Sequence, residues 1–187
     1  MNGLVTAIST TTSLSLVKAL RQQGVNVQAV LPTGYGDDLL HGGPGATQAA
    51  QGNYFQTSYE PVEMGTPATT KFQNALKTYG GVTGNPTFGE YIGYLSVDGL
   101  VTGLKAAGPN ATGTSFINAM LAINHYDGAG LYGSHSIGFG IGRRGQAAGA
   151  ENCQWISKFS GSAFRPVPGA TPICGSVIPG KTVSPSS

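Results

Sequence analysis

The fold is decided by the stretch Gly52-Asn53-Tyr54-Phe55-Gln56-Thr57-Ser58-Tyr59-Glu60-Pro61. An alternation of strand-like and helix-like segments runs up to this stretch and stops at its end. Two apolar runs precede it, at 3–8 and 25–31, and the stretch itself holds a third candidate strand at 53–58. Helix-like segments separate the three runs. Strand–helix–strand alternation at this spacing is typical of a parallel sheet with right-handed crossovers. The sequence therefore predicts an α/β fold, a parallel sheet with flanking helices.

Beyond Pro61 the pattern changes from alternating strands and helices to helices alone. Apolar periodicity predicts helices at 67–78, 88–107 and 114–123. Because no strand separates these helices, we expect them to form a layer apart from the first sheet. After position 130 the sequence turns to short strands and glycine-rich loops.

The chain ends in a candidate β ribbon that contains its two cysteines, Cys153 and Cys174. Residues 154–159, 160–163 and 164–168 have the composition of a strand, a turn and a second strand. A disulfide would hold the proline-containing second strand in place if the protein is exported, and two buried thiols are the alternative. The cysteine spacing fits neither a zinc motif nor a redox pair. A disordered tail is predicted at 181–187.

The composition limits the classes of function. Charged residues make up 10% of the chain, far below the usual ~25%, and 30 residues are glycine. The net charge of +2 comes from scattered side chains and gives no electrostatic support for binding nucleic acid. The first residues lack the basic and apolar regions of a signal peptide, and no apolar run has the ~18 residues of a membrane span.

Evidence in the sequence for catalysis or a cofactor is weak. Gly140-Ile141-Gly142-Arg143-Arg144-Gly145 matches the GxGxxG motif. The segment after it is too short and too broken by glycine for a crossover helix, and no acid follows at the required ~20 positions. A nucleotide-dependent enzyme fragment that uses Gly140–Gly145 is therefore a remote alternative. The histidines, at positions 41, 125 and 135, lie far apart in sequence, so we expect no metal site, no cofactor and no enzyme.

Three segments leave the carboxyl ends of the predicted parallel strands, at 9–13, 32–36 and 57–61. Ligands of such sheets bind at this edge, so we expect the segments to share one rim. The hydroxyl groups of the first segment suit a carboxylate or another polar ligand group, and simple helix capping is the alternative explanation. Aromatic rings near the rim can clamp an apolar ligand part. The candidate ligand-binding residues are Ser9, Thr10, Thr11, Thr33, Gly34, Tyr35, Phe88 and Tyr91.

Several segments carry a resemblance that covers the chain from Leu4 to about Gly180. They are Leu20-Arg21-Gln22-Gln23-Gly24-Val25, Leu31-Pro32-Thr33-Gly34-Tyr35, Gly52-Asn53-Tyr54-Phe55, the segment from Tyr94 to Gly108, and Tyr126-Asp127-Gly128-Ala129-Gly130-Leu131. With the closing strands around Cys153 and Phe164, this order resembles the C-terminal half of a type I periplasmic binding protein. Proteins of this family are the solute receptors of ABC transporters for branched-chain amino acids and similar solutes.

The resemblance implies a division of the chain between two lobes that close over a ligand. Residues 1–58 resemble part of the second α/β lobe, and 62–130 resemble helices that return to the first lobe. Residues 131–180 resemble terminal strands that cross between the lobes. Because the sheet of the first lobe is absent here, we expect the apolar faces of the helices to be exposed in a monomer, or to be hidden by self-association or refolding.

The resemblance also implies a function without catalysis. The full-length protein would be the extracytoplasmic substrate-binding component of an ABC transporter, at the periplasm or cell surface, with the permease as its partner. Thr33 stands where amino-acid-binding relatives carry an acid, and Asp37 and Asp38 are near but not matched. An amino acid, an amide and a small carboxylate therefore all remain possible ligands. The alternative is a truncated structural or assembly fragment that binds no ligand.

Overall fold

Three parallel strands form the centre of the fold, as the sequence predicts. The computed structural model describes residues 3–6, 8–140, 150–176 and 178. Strands β1 (Gly3–Val5), β2 (Gln28–Leu31) and β3 (Tyr54–Thr57) are neighbours in that order, and both pairs are parallel. Each strand is shorter than its apolar run. The predicted α/β class is confirmed.

The crossover helices begin and end at the residues that favour such boundaries. Helix α1 (Thr10–Gln22) has Ser9 as its N-cap, and the backbone N–H of Thr12 donates to the Ser9 hydroxyl at 3.4 Å. Gly24 follows the helix with a φ of 75°, a left-handed conformation that favours glycine. The second crossover contains the short helix α2 (Asp37–Leu40) and helix α3 (Gly43–Ala50).

The predicted terminal ribbon extends the parallel sheet with antiparallel strands. Strand β4 (Cys153–Ser160) pairs with β3, and β5 (Ala163–Pro166) pairs with β4. The short strand β6 (Ile173–Cys174) pairs with the first residues of β4. A disulfide joins Cys153 to Cys174 at this point, which confirms the sequence prediction. The cross-link spans 21 positions, and its constraint on the unfolded chain contributes about 3 kcal/mol.

Three helices follow the sheet strands without a strand between them. They are α4 (Pro67–Ala75), α5 (Phe88–Ala107) and α6 (Gly113–Ala122), and a π-helical turn at Leu76–Gly80 continues α4. A threonine hydroxyl caps the N-terminus of each helix, which explains why the sequence places their starts well. None of the helices within the described ranges is both long and apolar enough to cross a membrane.

An aromatic cluster joins these helices to the sheet. We define it as Tyr35, Tyr59, Phe72, Tyr91 and Phe164. The Tyr91 ring stacks on Tyr59 with centroids 4.0 Å apart and contacts Phe72 at 4.4 Å. Tyr35 packs against Phe164 of β5 at 4.8 Å. Phe72 and Tyr91 are fully buried, so α4 and α5 pack against the sheet through this cluster.

Helix α5 is apolar on two sides, and the two sides have different environments. Its inner face consists of Tyr91, Leu95, Gly99 and Gly103, which are all buried. Its outer stripe consists of Val97, Leu100, Val101 and Leu104, which are 39–61% exposed. Helix α6 exposes Ile117 as well. The expected exposure of apolar helix surface is therefore confirmed for α5 and α6.

Two sequence predictions concern positions that the structure does not describe. The glycine motif Gly140–Gly145 lies outside the described residues from position 141 onward. The predicted tail at 181–187 lies outside them entirely.

Candidate ligand-binding rim

Two strand ends bring their hydroxyl side chains into contact at one edge of the sheet. Thr10, which follows β1, donates its hydroxyl hydrogen to the Thr33 hydroxyl at 2.9 Å. Thr33 follows β2, which is the parallel neighbour of β1, so the two residues leave the sheet at the same edge. We call Ser9, Thr10, Thr11, Thr33 and Gly34 the hydroxyl rim. Ser9, Thr11 and Thr33 are exposed to solvent, and Thr10 is partly buried.

Helix capping accounts for only part of the hydroxyl cluster. Ser9 caps α1, and its hydroxyl also lies 3.2 Å from that of Thr11. Ser13 is buried and donates to the Thr6 hydroxyl at 2.9 Å, which ties α1 to the end of β1. Thr10 and Thr33 have no part in the cap. Their hydroxyls meet each other at the surface, where each retains capacity for a further partner.

Gly34 allows the two segments to approach closely. A Cβ atom at position 34 would lie 2.2 Å from the Thr10 Cγ2 atom. The φ of 86° at Gly34 is also in the left-handed region that side chains disfavour. A larger residue at this position would therefore separate Thr10 from Thr33.

At the end of β3, the Thr57 hydroxyl is not exposed. That hydroxyl is buried and donates to the Tyr59 carbonyl at 2.7 Å. The neighbouring Ser58 hydroxyl donates to the Gln154 side-chain oxygen at 3.3 Å. The exposed hydroxyls at this edge therefore come from the segments that follow β1 and β2.

Tyr35 belongs to the aromatic cluster and is only 3% exposed. Its hydroxyl donates to a Glu63 carboxylate oxygen and accepts the Val62 N–H at 3.1 Å. Burial raises the Tyr35 pKa well above its ordinary value, and the nearby Tyr91 and Glu63 add to the shift. The structure thus gives the side chain a packing role. A Tyr35→Ala variant would disturb the fold as well as any ligand contact.

Tyr91 and Phe88 lie at the start of α5 but in different environments. The Tyr91 side chain is fully buried, and its hydroxyl donates to the Glu60 carbonyl at 3.2 Å. Burial is the main cause that raises the Tyr91 pKa above its ordinary value. Phe88 is 48% exposed at the first position of the helix. Of the three aromatic candidates, only Phe88 presents its ring to solvent.

Sequence reasoning missed a polar cluster beneath the aromatic rings. Glu63 accepts hydrogen bonds from Tyr35 and from the Asn85 side chain, the latter at 2.7 Å. Asp37 accepts the Asn85 backbone N–H at 3.1 Å. Burial raises the Glu63 pKa, and the hydrogen bonds that Glu63 accepts from Tyr35 and Asn85 oppose this rise. The partners lie 22–48 positions apart in sequence, and no local pattern signals such contacts.

Comparison with known proteins assigns the chain to a family. The family model for periplasmic binding proteins matches residues 2–161, and the chain belongs to this family. Comparison with curated protein sequences finds no match.

Three solved structures illustrate the fold similarity. A possible leucine/isoleucine/valine-binding protein from Rhodopirellula baltica has a TM-score of 0.69 at 15% identity, over 89% of this chain and 42% of that one. A branched-chain amino acid ABC transporter protein from Thermus thermophilus with bound valine gives 0.66 at 19%, over 89% and 45%. A fatty acid ABC transporter substrate-binding protein from Thermomonospora curvata gives 0.64 at 23%, over 88% and 41%.

These comparisons confirm the type I periplasmic binding protein fold that the sequence predicts. The chain spans less than half the length of each of these three structures. At such low identity the likeness concerns the fold, and the ligands named for those proteins are theirs.

Proposed function

We propose that the chain is part of an extracytoplasmic solute receptor of an ABC transporter, and that the hydroxyl rim binds a polar group of a small solute. The observation that carries the proposal is the contact between Thr10 and Thr33 at the carboxyl ends of adjacent parallel strands. Family membership supports the solute-binding role, since this chain belongs to the periplasmic binding proteins.

The chemistry of the rim favours a carboxylate as the group that binds. The N-terminus of α1 carries partial positive charge and free backbone N–H groups. The Thr33 hydroxyl accepts from Thr10 and keeps its own hydrogen, which it can donate to a carboxylate oxygen. Valine and fatty acids, which the names of two similar proteins mention, share a carboxylate. None of the five rim residues is acidic, so the rim itself offers no charged partner for the amine of an amino acid. We therefore rank small carboxylates first among the ligands, with amino acids and amides after them.

The same residues favour binding over catalysis. The rim contains no histidine, cysteine or acid that would serve as a general base or an activated nucleophile. Its hydroxyls bond to one another and to the start of α1. This arrangement is suited to holding a solute without changing it.

A second lobe would complete the receptor and would cover the outer stripe of α5. The rim supplies one side of a site, and the chain spans less than half of the similar structures. Beside the stripe, a groove of about 470 Å³ between α5, α6 and the segment 126–139 is lined mainly by apolar residues, and it shares Leu100 with the stripe. We infer that the first lobe packs against this surface and that the permease docks on the assembled receptor.

Ligand binding at the rim is tested by thermal-shift screening followed by calorimetry. The panel contains branched-chain amino acids, their amides, fatty acids and aromatic acids. We expect carboxylates to raise the unfolding temperature. Thr10→Val and Thr33→Val keep the side-chain size and remove the hydroxyl. Thr33→Val should weaken binding about tenfold to a hundredfold, the effect of losing a hydrogen bond to a charged group. Thr10→Val should weaken binding less, because it removes only the hydroxyl that orients Thr33.

Thr70→Val is the matched control, because Thr70 is exposed on α4 away from the rim. It should leave the affinity unchanged. Equal affinity of a demonstrated ligand for wild type, Thr10→Val and Thr33→Val would refute the rim assignment. A folded chain that binds no compound of the panel would favour the assembly-fragment alternative, for which the one-sided, exposed rim is the supporting observation.

A further inference from the structure

His135 lies beside the disulfide at the end of the sheet, with one ring nitrogen near each sulfur. Its Nδ1 atom is 3.5 Å from Cys153 Sγ, and its Nε2 atom is 3.9 Å from Cys174 Sγ. Metal ions in proteins are often held by histidine, cysteine, aspartate and glutamate side chains. Among the described residues, these three form the one group of at least three such side chains that is close enough to share an ion. Their ligand atoms all lie within 4.8 Å of one another.

The fold brings the three residues together from separate parts of the chain. Cys153 begins β4 and is directly paired with Cys174 of β6, and their Cα atoms are 4.0 Å apart. His135 comes from the turn region after α6, 18 positions before Cys153. The pairing of β4 with β6 also holds the two cysteines side by side, so we expect both sulfurs to stay near His135 when the disulfide is broken.

Glu151 orients the histidine ring. Its carboxylate lies 3.1 Å from His135 Nδ1, close enough to accept a hydrogen bond from a protonated Nδ1. With the proton on Nδ1, the lone pair of Nε2 is directed toward the Cys174 side. A carboxylate that holds one ring nitrogen while the other binds the ion is the usual outer-shell arrangement of metal-bound histidine. Glu151 and Asn152 both have positive φ, at 52° and 59°, which places two strained residues directly before Cys153.

We propose that the reduced protein binds Zn²⁺ through Cys153, Cys174 and His135 Nε2, and that the disulfide closes this site. Two thiolates and one imidazole are a donor set that favours zinc, and three protein ligands leave a fourth position for water. The cysteine spacing in the sequence gives no zinc motif, because β-strand pairing and the distant His135 create the site. This proposal is independent of the solute-binding function.

The redox step balances with a phosphine as reductant. The phosphine takes the oxygen of one water molecule and becomes a phosphine oxide. Its electron pair breaks the S–S bond, and the two protons of that water complete the two thiols. Zinc then binds the two thiolates and releases both protons. Cys174 is exposed, so reductant and metal reach the buried Cys153 from that side.

The test uses the full chain, reduced with a phosphine, desalted without oxygen and titrated with Co²⁺ as a spectroscopic substitute for zinc. We expect one ion per chain, with thiolate-to-cobalt charge-transfer bands and the visible bands of tetrahedral cobalt. Zn²⁺ should then displace the cobalt. Oxidised protein should show no bands. Trp155 is the single tryptophan, and its ring centroid lies 6.4 Å from that of His135, so its fluorescence should change on metal binding.

Variants separate the proposed site from binding by two thiols alone. Glu151→Gln should weaken binding roughly 10–100-fold, and His135→Ala, which removes a direct ligand, should weaken it more. His41→Ala is the matched control, since His41 is exposed at the end of α2 and should not affect affinity. Cobalt affinity that is equal in wild type and His135→Ala overturns the proposal, as does a reduced wild type without charge-transfer bands.

The proposal can still be tested if the chain unfolds when its disulfide is reduced. Metal that binds a folded site restores structure, so zinc should recover the native Trp155 fluorescence of reduced wild type and raise its unfolding temperature. The same zinc concentration should have little effect on reduced His135→Ala. Reduced wild type that remains unfolded in saturating zinc overturns the proposal.

Discussion

The two faces of α5 have similar apolar character and opposite environments. Tyr91, Leu95, Gly99 and Gly103 of the inner face are buried against the aromatic cluster and α6, whereas the outer stripe is exposed along its length. A helix that is apolar on all sides is normally buried on all sides. The difference shows that this chain buries one apolar face of α5 and leaves the other exposed, and the exposed face is the one we propose a partner covers.

The largest expected effect is a difference in stability between the two faces. Tyr91→Ala should reduce the free energy of unfolding by about 3–5 kcal/mol, because it leaves a large cavity beneath Tyr59 and Phe72. Leu104→Ala in the outer stripe should change it by less than about 0.5 kcal/mol. Urea unfolding of dilute protein measures both values. Similar losses for the two variants would show that the faces do not differ as described.

At two glycines of α5 the same substitution to alanine should change the stability in opposite directions. A Cβ atom at Gly103 would lie 2.3 Å from Met120 Sδ and 2.6 Å from a Phe116 ring carbon, so Gly103→Ala should cost about 1–3 kcal/mol. A Cβ atom at the exposed Gly93 meets nothing within 4 Å. Gly93→Ala should therefore stabilise the helix by about 0.5–1 kcal/mol.

Thermal and urea unfolding of the two alanine variants supply this test. If Gly103→Ala is as stable as Gly93→Ala, α6 does not pack closely on the inner face.

Glu63, which bonds to Tyr35 of the aromatic cluster, should make the stability depend on pH. The Glu63 pKa is raised in the folded protein, mainly by burial, so the folded state binds this proton more tightly than the unfolded state. The protonated Glu63 therefore stabilises the folded state. This contribution is complete below the ordinary glutamate pKa of 4.5, and it is lost as the pH rises through the raised pKa of Glu63. The slope from this one group stays below about 1.4 kcal/mol per pH unit.

Glu63→Gln removes the titrating group and should flatten the dependence of unfolding free energy on pH above 4.5. Urea unfolding across a pH series checks this expectation. A variant whose profile has the same slope as that of wild type would show that Glu63 does not produce the dependence.

Local sequence patterns predicted the elements and their ends more successfully than the side-chain environments. The hydroxyl residue before each long helix and the glycine after α1 mark boundaries that depend on neighbouring residues only. The order of strands and helices predicted parallel pairing, and therefore the approach of Thr10 to Thr33. These features follow from short-range rules.

The environments that the sequence did not predict depend on distant contacts. The periodicity of α5 treats Tyr91, Leu95, Val97 and Leu104 as one apolar set, and only tertiary packing divides them between two faces. Tyr35 follows a strand end as Thr33 does, but Phe164 and Glu63 draw its side chain into the core. The aromatic candidates were chosen by position at the rim, and position alone does not specify the direction of a ring.

Light scattering over a concentration series tests most directly the claim that the outer stripe of α5 belongs to an interface. The chain of 19.0 kDa should show a mass that rises with concentration, since burial of apolar surface contributes roughly 25 cal/mol per Å². Val97→Lys with Leu104→Lys should remain monomeric. Thr70→Lys with Asn74→Lys adds the same charge on exposed positions of α4 and should still associate. A wild-type chain that stays a stable monomer at all concentrations would show that the outer stripe is not an interface.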